Sequence, residues 1–232
     1  MFADERGTIL SIWRQAFAII RQYPLATLLP AAVLGPLGDA PYYFIIGELS
    51  LSDEILSTLT GAFAFYVYIV YITYAEEVTA EAERGVPRIT IRGAFRELRQ
   101  AASVVPFVLV ASVVALAIPL LATTLLVIPG LWLLTRWSLF APVISREQLG
   151  PVAALKRSNE VVGGHFELVF LTATLGTVLE EAAVHGGAVV GHLVTDSYTW
   201  GEWLGSSIVT SLVMPLAAIA TSVTYMHLQR SS

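Results

Sequence analysis

The chain has 232 residues, of which 56% are hydrophobic and 13% charged, with a net charge of -5; a soluble domain carries about 25% charged residues. Mean hydropathy is +0.71 over the whole length, which excludes a soluble domain hung on one anchor. There is no cysteine, which excludes disulfides, thiol catalysis and thiolate metal sites.

A spanning helix needs roughly 20 mostly apolar residues. Six such spans with their connections nearly use up the chain, so residues 1–232 read as a single polytopic membrane domain. The first residues, Met1 to Arg6, carry acids where a secretory signal has a basic region, and no short apolar core with a small-residue cleavage site follows. They are expected to be retained. Span one runs from about Pro24 to Gly47 and contains Pro30, Pro36 and Pro41, which predict a kinked or broken helix. Span two runs from about Ile55 to Val78. Residues 103–145 are apolar for too long to cross once, and Ile128-Pro129-Gly130 offers a turn. Division there gives span three at 103–124 and span four at 129–145. Span five covers about Phe166–Val194 and span six about Leu204–Leu228.

The bases fix an expected orientation. Arg6, Arg14 and Arg21 precede span one; Arg84, Arg88, Arg92, Arg96 and Arg99 separate spans two and three; Arg146, Lys156 and Arg157 separate spans four and five; Arg230 follows span six. The other connections contain no base, and two hold acids: Asp39, Glu48, Asp53 and Glu54 in the first, Asp196 and Glu202 in the last. The positive-inside rule then puts both termini on the cytoplasmic side of the membrane. Trp200 and Trp203 suit the outer interface and Trp13 the inner one.

Three segments look alike: Trp13–Pro24, Phe95–Pro106 and Leu155–Phe166. Each opens with a large apolar residue followed by a base and leads into an apolar span. The first two have apolar and basic faces at helical spacing, as helices lying on a membrane surface do. The expected fold is therefore all-α and integral to the membrane. It has about six transmembrane helices, arranged as three units of an interfacial amphipathic helix plus a helical hairpin. Arg14, Arg21, Arg92, Arg96, Arg99, Lys156 and Arg157 are expected to meet anionic lipid headgroups on the cytoplasmic side.

Residues 128–170 carry the most distinctive stretch: Ile128-Pro-Gly-Leu-Trp132, Arg136-Trp-Ser-Leu-Phe-Ala-Pro142, then Glu147, Gly150, Ala154-Leu155, Ser158 and Gly164. This resembles a prokaryotic group of multi-pass membrane proteins. That group includes the membrane domain fused to some glycerophosphodiester phosphodiesterases, and related stand-alone proteins. Asn159 stands where the resemblance would have an aromatic residue. The phosphodiesterase chemistry of the fused relatives belongs to a separate soluble barrel that this chain lacks, so no catalytic residue carries over. The resemblance implies a tight outer turn at Pro129-Gly130 and an interfacial helix opening after Gly150-Pro151.

Polar residues at membrane depth are costly and need partners, protons or a cavity. Span five contains Glu180, Glu181, His185 and His192, and span four contains Arg136. At helical spacing Glu181, His185 and His192 share one face, while Ala183, Gly187 and Gly191 share another suited to close helix approach. Arg136 is the expected partner of Glu180 or Glu181. Glu181, His185 and His192 also form a candidate metal-ligand set, although no zinc-helix signature accompanies them. Glu76, Glu77, Glu81 and Glu83 are expected to pair with nearby arginines, and the tyrosines at 66, 68, 71 and 74 to supply hydroxyl hydrogen bonds within the bundle. The leading functional expectation is a non-enzymatic protein, without cofactor, that organises lipid or a membrane partner, with a homo-oligomer among the candidate assemblies and no role for nucleic acid. Two alternatives stand beside it: a small transporter or channel using the Glu/His face, and an intramembrane metal-dependent enzyme acting on lipid.

Overall fold

A chain this apolar must satisfy its backbone polar groups within each segment, and helices do so without a partner strand. The computed structural model describes residues 2–45, 53–85, 99, 103–115, 118, 127–195 and 198–231. Of the described residues 93% are helical, and none forms a strand. In chain order the helices are α1 (Phe2–Gln22), α2 (Pro24–Ile45) and α3 (Asp53–Glu83), and α4 (Ser103–Ala115). Then come α5 (Val127–Trp137), α6 (Phe140–Glu147), α7 (Pro151–Gly163), α8 (Phe166–Val194) and α9 (Tyr198–Ser231). Two of these, α8 and α9, are long and apolar enough to cross a membrane, and a bent pair formed by α1 and α2 makes up to three. Of the expected third span, residues 116–117 and 119–124 lie outside the described residues.

The sharpest break lies ahead of the proline-rich span rather than inside it. Gly7–Gln22 and Pro24–Gly38 meet at 92°. Pro24 fixes its own φ and disfavours helix at the residue before it, so the chain turns at Tyr23. Beyond that turn α2 runs through Pro30, Pro36 and Pro41 as one helix. A second break falls at Gly164-His165, between α7 and α8. Tyr23 and His165 are both the eleventh residue of their similar segments, Trp13–Pro24 and Leu155–Phe166. In the middle segment the eleventh position, Val105, is already helical.

Pro30 has no N–H, so the carbonyl of Ala26 loses its ordinary helical partner. The Tyr74 hydroxyl donates to that carbonyl at 2.7 Å, and Tyr71 donates to the neighbouring Thr27 carbonyl at 3.1 Å. Both tyrosines are buried. The expected hydroxyl role of the tyrosines thus has a specific cause: α3 repairs the backbone that a proline opened in α2. On the other side of α2, Ser211 donates to the Ala31 carbonyl at 3.1 Å and Trp203 Nε1 to the Pro36 carbonyl at 3.3 Å.

α9 sits at the centre, packed against α1, α2, α3, α6 and α8. Among the described residues its contact with α8 is the most extensive of any helix pair. Gly187 and Gly191 of α8 face Gly201 and Gly205 of α9 so tightly that a Cβ at Gly187, Gly191 or Gly205 would overlap backbone atoms of the other helix. The spacing of Gly187 and Gly191 predicts this; the matching pair on α9 completes it.

Gly191→Ala should lower the thermal midpoint in detergent, with a cost of about 1–3 kcal/mol for overpacking against backbone that cannot move aside. Gly176→Ala is the control, because its Cβ would meet Ala217 at an ordinary 3.5 Å. Equal melting of the two variants would contradict this packing.

Candidate functional site

Ionisable side chains collect where α3, α6 and α9 end. Glu76 and Glu83, seven residues apart, lie on one side of α3, and Ser222, Met226 and Arg230 follow one another along α9 at helical spacing. Glu76 is only 2% exposed. One of its oxygens accepts from Ser222 Oγ at 2.5 Å, and the other lies 3.6 Å from Arg146 Nε. Arg146 donates to Glu83 at 2.8 Å and to Met226 Sδ at 3.2 Å. Arg230 donates to the other oxygen of Glu83 at 3.0 Å. At the exposed end of α3, Glu81 pairs with Arg84 at 2.6 Å. Glu76, Glu81 and Glu83 therefore do meet arginines, and three of those pairs reach across helices.

Arg146 and Glu147 are adjacent on the last turn of α6, so their side chains diverge. Arg146 reaches α3, and Glu147 reaches α7 and α9. Glu147 accepts from Arg157 Nε at 3.2 Å, from Gln229 Nε2 at 3.3 Å and from the Tyr225 hydroxyl. Backbone geometry makes this possible. Gln148, at φ 54°, caps α6 in the left-handed conformation and donates its N–H to the Ile144 carbonyl. Gly150 and Pro151 then open α7, as the resemblance implies, and α7 carries Arg157 back over Glu147. Hydrogen bonding to Glu147 and its negative charge hold the Arg157 pKa above the ordinary arginine value.

Arg136 is placed differently from the expectation. It donates to the Asn159 side chain at 3.0 Å and to the Asn159 carbonyl at 3.3 Å, and its guanidinium lies 4.6 Å above the Trp132 ring. Ser158 Oγ closes the junction by donating to the Arg136 carbonyl at 2.9 Å. Arg136 thus contacts Asn159 rather than Glu180 or Glu181. The reason is a break at Ser138-Leu139, which divides the expected fourth span into α5 and α6. Arg136 falls in the last turn of α5, beside α7. Asn159, the departure from the resembling pattern, is its partner. Ile128-Pro129-Gly130 is also not a turn: it forms the first turn of α5, where a proline is tolerated because early helical N–H groups are unpaired anyway.

Glu180 accepts from the Tyr68 hydroxyl, with distances of 3.1 and 3.4 Å to its two oxygens. Glu181 points elsewhere, 3.7 Å from His185 one turn on, and the side chains of this pair are 67% and 82% exposed. His192 stands two turns beyond His185, roughly 10 Å along the axis. That is too far to share an ion with it, and no group of three metal-ligating side chains is gathered among the described residues. The candidate set Glu181, His185 and His192 is therefore not assembled.

Of the expected headgroup contacts, Arg14, Arg21, Arg99 and Lys156 are exposed, and Arg157 is held by Glu147 and lies 3.6 Å from Glu160. Arg92 and Arg96 lie outside the described residues. A cleft of about 240 Å³ between α7 and the end of α9 is lined in part by Arg157, Glu160, His165 and Gln229. Comparison with protein-family models, with curated proteins and with solved structures gave no match.

Breaking the Glu76–Arg146 pair from either side should destabilise strongly, by about 3–5 kcal/mol, because the other charge stays buried without its partner. Arg146→Met and Glu76→Gln together should cost less than the sum of the single changes. Thermal unfolding of the four proteins checks this, and simple additivity would show that the two charges are not coupled.

Proposed function

We propose that this chain is a non-enzymatic integral membrane protein that organises anionic lipid, or a membrane partner, at the cytoplasmic face of a prokaryotic plasma membrane. On this reading it crosses the membrane six times in three units of interfacial helix plus hairpin, with both termini inside. It is then a relative of the membrane domain fused to some glycerophosphodiester phosphodiesterases.

The observation that carries the reading is the outward stripe of α1. Leu10, Arg14, Phe17 and Arg21 follow at i, i+4, i+7 and i+11, so they share one face. Leu10 is 58% and Phe17 61% exposed, and both arginines are exposed, whereas Ile12, Ala16 and Ile19 on the other face are buried. With α2 turned 92° away, an α2 that crosses the bilayer leaves α1 lying along its surface. Apolar and basic residues then alternate in the plane where acyl chains give way to phosphates, the composition expected of an interfacial helix.

Two further features fit. The groups gathered at Glu76, Glu83, Arg146, Glu147, Arg157 and Arg230 bond mainly to one another, as helix-joining pairs do. They also lie at the helix ends that the arginine distribution puts inside. The transporter and metal-enzyme alternatives need Glu181, His185 and His192 to line an enclosed path or site, whereas the Glu181–His185 pair faces outward.

Arg14→Gln with Arg21→Gln should weaken retention of anionic lipid by purified protein by about 2 kcal/mol, at about 1 kcal/mol per base. Native mass spectrometry of co-purified lipid reads this, and undiminished retention would remove the lipid role from α1. For orientation, cysteines placed at Asp53 and Ser197 should react with an impermeant thiol reagent outside intact cells, and cysteines at Arg88 and Ser232 should not. Labelling of either of the latter two would reverse the topology.

A further inference from the structure

Glu181 stands at the middle of the 29-residue α8, one of the two helices long and apolar enough to cross a membrane. With α8 in a bilayer, a carboxylate and an imidazole would face hydrocarbon near its midplane, where ionisable groups are costly unless partnered. Among the described bases, Arg136 is engaged with Asn159, Arg146 and Arg230 with Glu83, and Arg157 with Glu147.

The surroundings of the pair are those of a helix contact. Val178, Glu181, Ala182, His185, Gly186 and Val189 share the face of α8 directed away from α9, and all are exposed. Ala182 and Gly186 are four residues apart, and a Cβ at Gly186 would meet nothing within 4 Å. Small residues at this spacing let a second helix backbone come close. The same face carries both an acid and its complementary imidazole, so it is complementary to itself, as a two-fold contact requires.

We infer that this face of α8 is the contact between two copies of the chain in the membrane, with Glu181 and His185 of one copy meeting His185 and Glu181 of the other. The pairing covers four ionisable groups at once and leaves the α8–α9 glycine contact on the opposite side undisturbed. It rests on α8 crossing the membrane, which is part of the function proposed above, but not on any lipid role.

Because the chain has no cysteine, introduced thiols report it directly. Under mild oxidation in native membranes, Ala182→Cys and Gly186→Cys should give disulfide-linked dimers. Thr177→Cys and Val184→Cys, exposed on another side of α8, should give far less. In nanodiscs, Glu181→Gln should weaken association by about tenfold, and Gly186→Leu should leave a monomer of unchanged helical content by circular dichroism. A monomeric wild-type protein, or equal crosslinking at all four positions, would overturn the inference. If the thiol of the Ala182→Cys variant stays unlabelled by impermeant reagent in that case, the membrane placement of α8 stands and only the dimer is lost. Labelling of that thiol from water would overturn both.

Discussion

A carboxylate with almost no exposure needs a donor and a counter-charge, and Glu76 obtains them from two other helices. Ser222 of α9 donates to one oxygen, and Arg146 Nε of α6 lies 3.6 Å from the other as its ion-pair partner. This requirement ties three helix ends together, and the rest of that end follows from it. Arg146 reaches past Glu76 to Glu83, and Glu83 in turn takes Arg230. Glu147, adjacent to Arg146 but directed away from it, gathers α7 and α9 through Arg157, Tyr225 and Gln229. Charges inside a low-dielectric bundle attract strongly only when each has its partner close by. A chain with 13% charged residues has concentrated many of them in one place.

The remainder of the bundle is held by a different chemistry. Close backbone approach at four glycines sets the distance between α8 and α9, where dispersion contacts replace side-chain bonding. Across the molecule, hydroxyl and indole donors from α3 and α9 satisfy carbonyls of the proline-rich α2. Prolines in a membrane helix are tolerable when neighbours re-satisfy the backbone they open. The tyrosines of α3 therefore belong with the prolines of α2 as one device.

Among the described residues, two of the surfaces left exposed by these contacts carry charge beside apolar groups. One is the mixed apolar and basic stripe of α1, nearly perpendicular to α2; the other is the Glu181–His185 face of α8. Their chemistry differs as their settings would. Arginines among leucine and phenylalanine suit a boundary between hydrocarbon and phosphate, whereas an acid with an imidazole beside small residues suits another helix.

The helices themselves were legible in the sequence, because apolar runs of spanning length have no other way to satisfy their backbone. The opening of α7 at Pro151 and the Gly187–Gly191 face were legible too, since each depends on the local chemistry of proline or glycine, whereas the kink expected at Pro30, Pro36 and Pro41 falls before Pro24 instead. The partners of the polar residues were not. Arg136 and Glu180 look matched by their places on successive spans. A two-residue break at Ser138-Leu139 swings Arg136 beside Asn159, and Tyr68, from a distant helix, takes Glu180. Glu76 gave no sign that it would be the most deeply buried acid of its group. Spacing along a helix assigns a face; which neighbour meets that face depends on bends and crossings summed over the whole chain, and only the tertiary structure decides them.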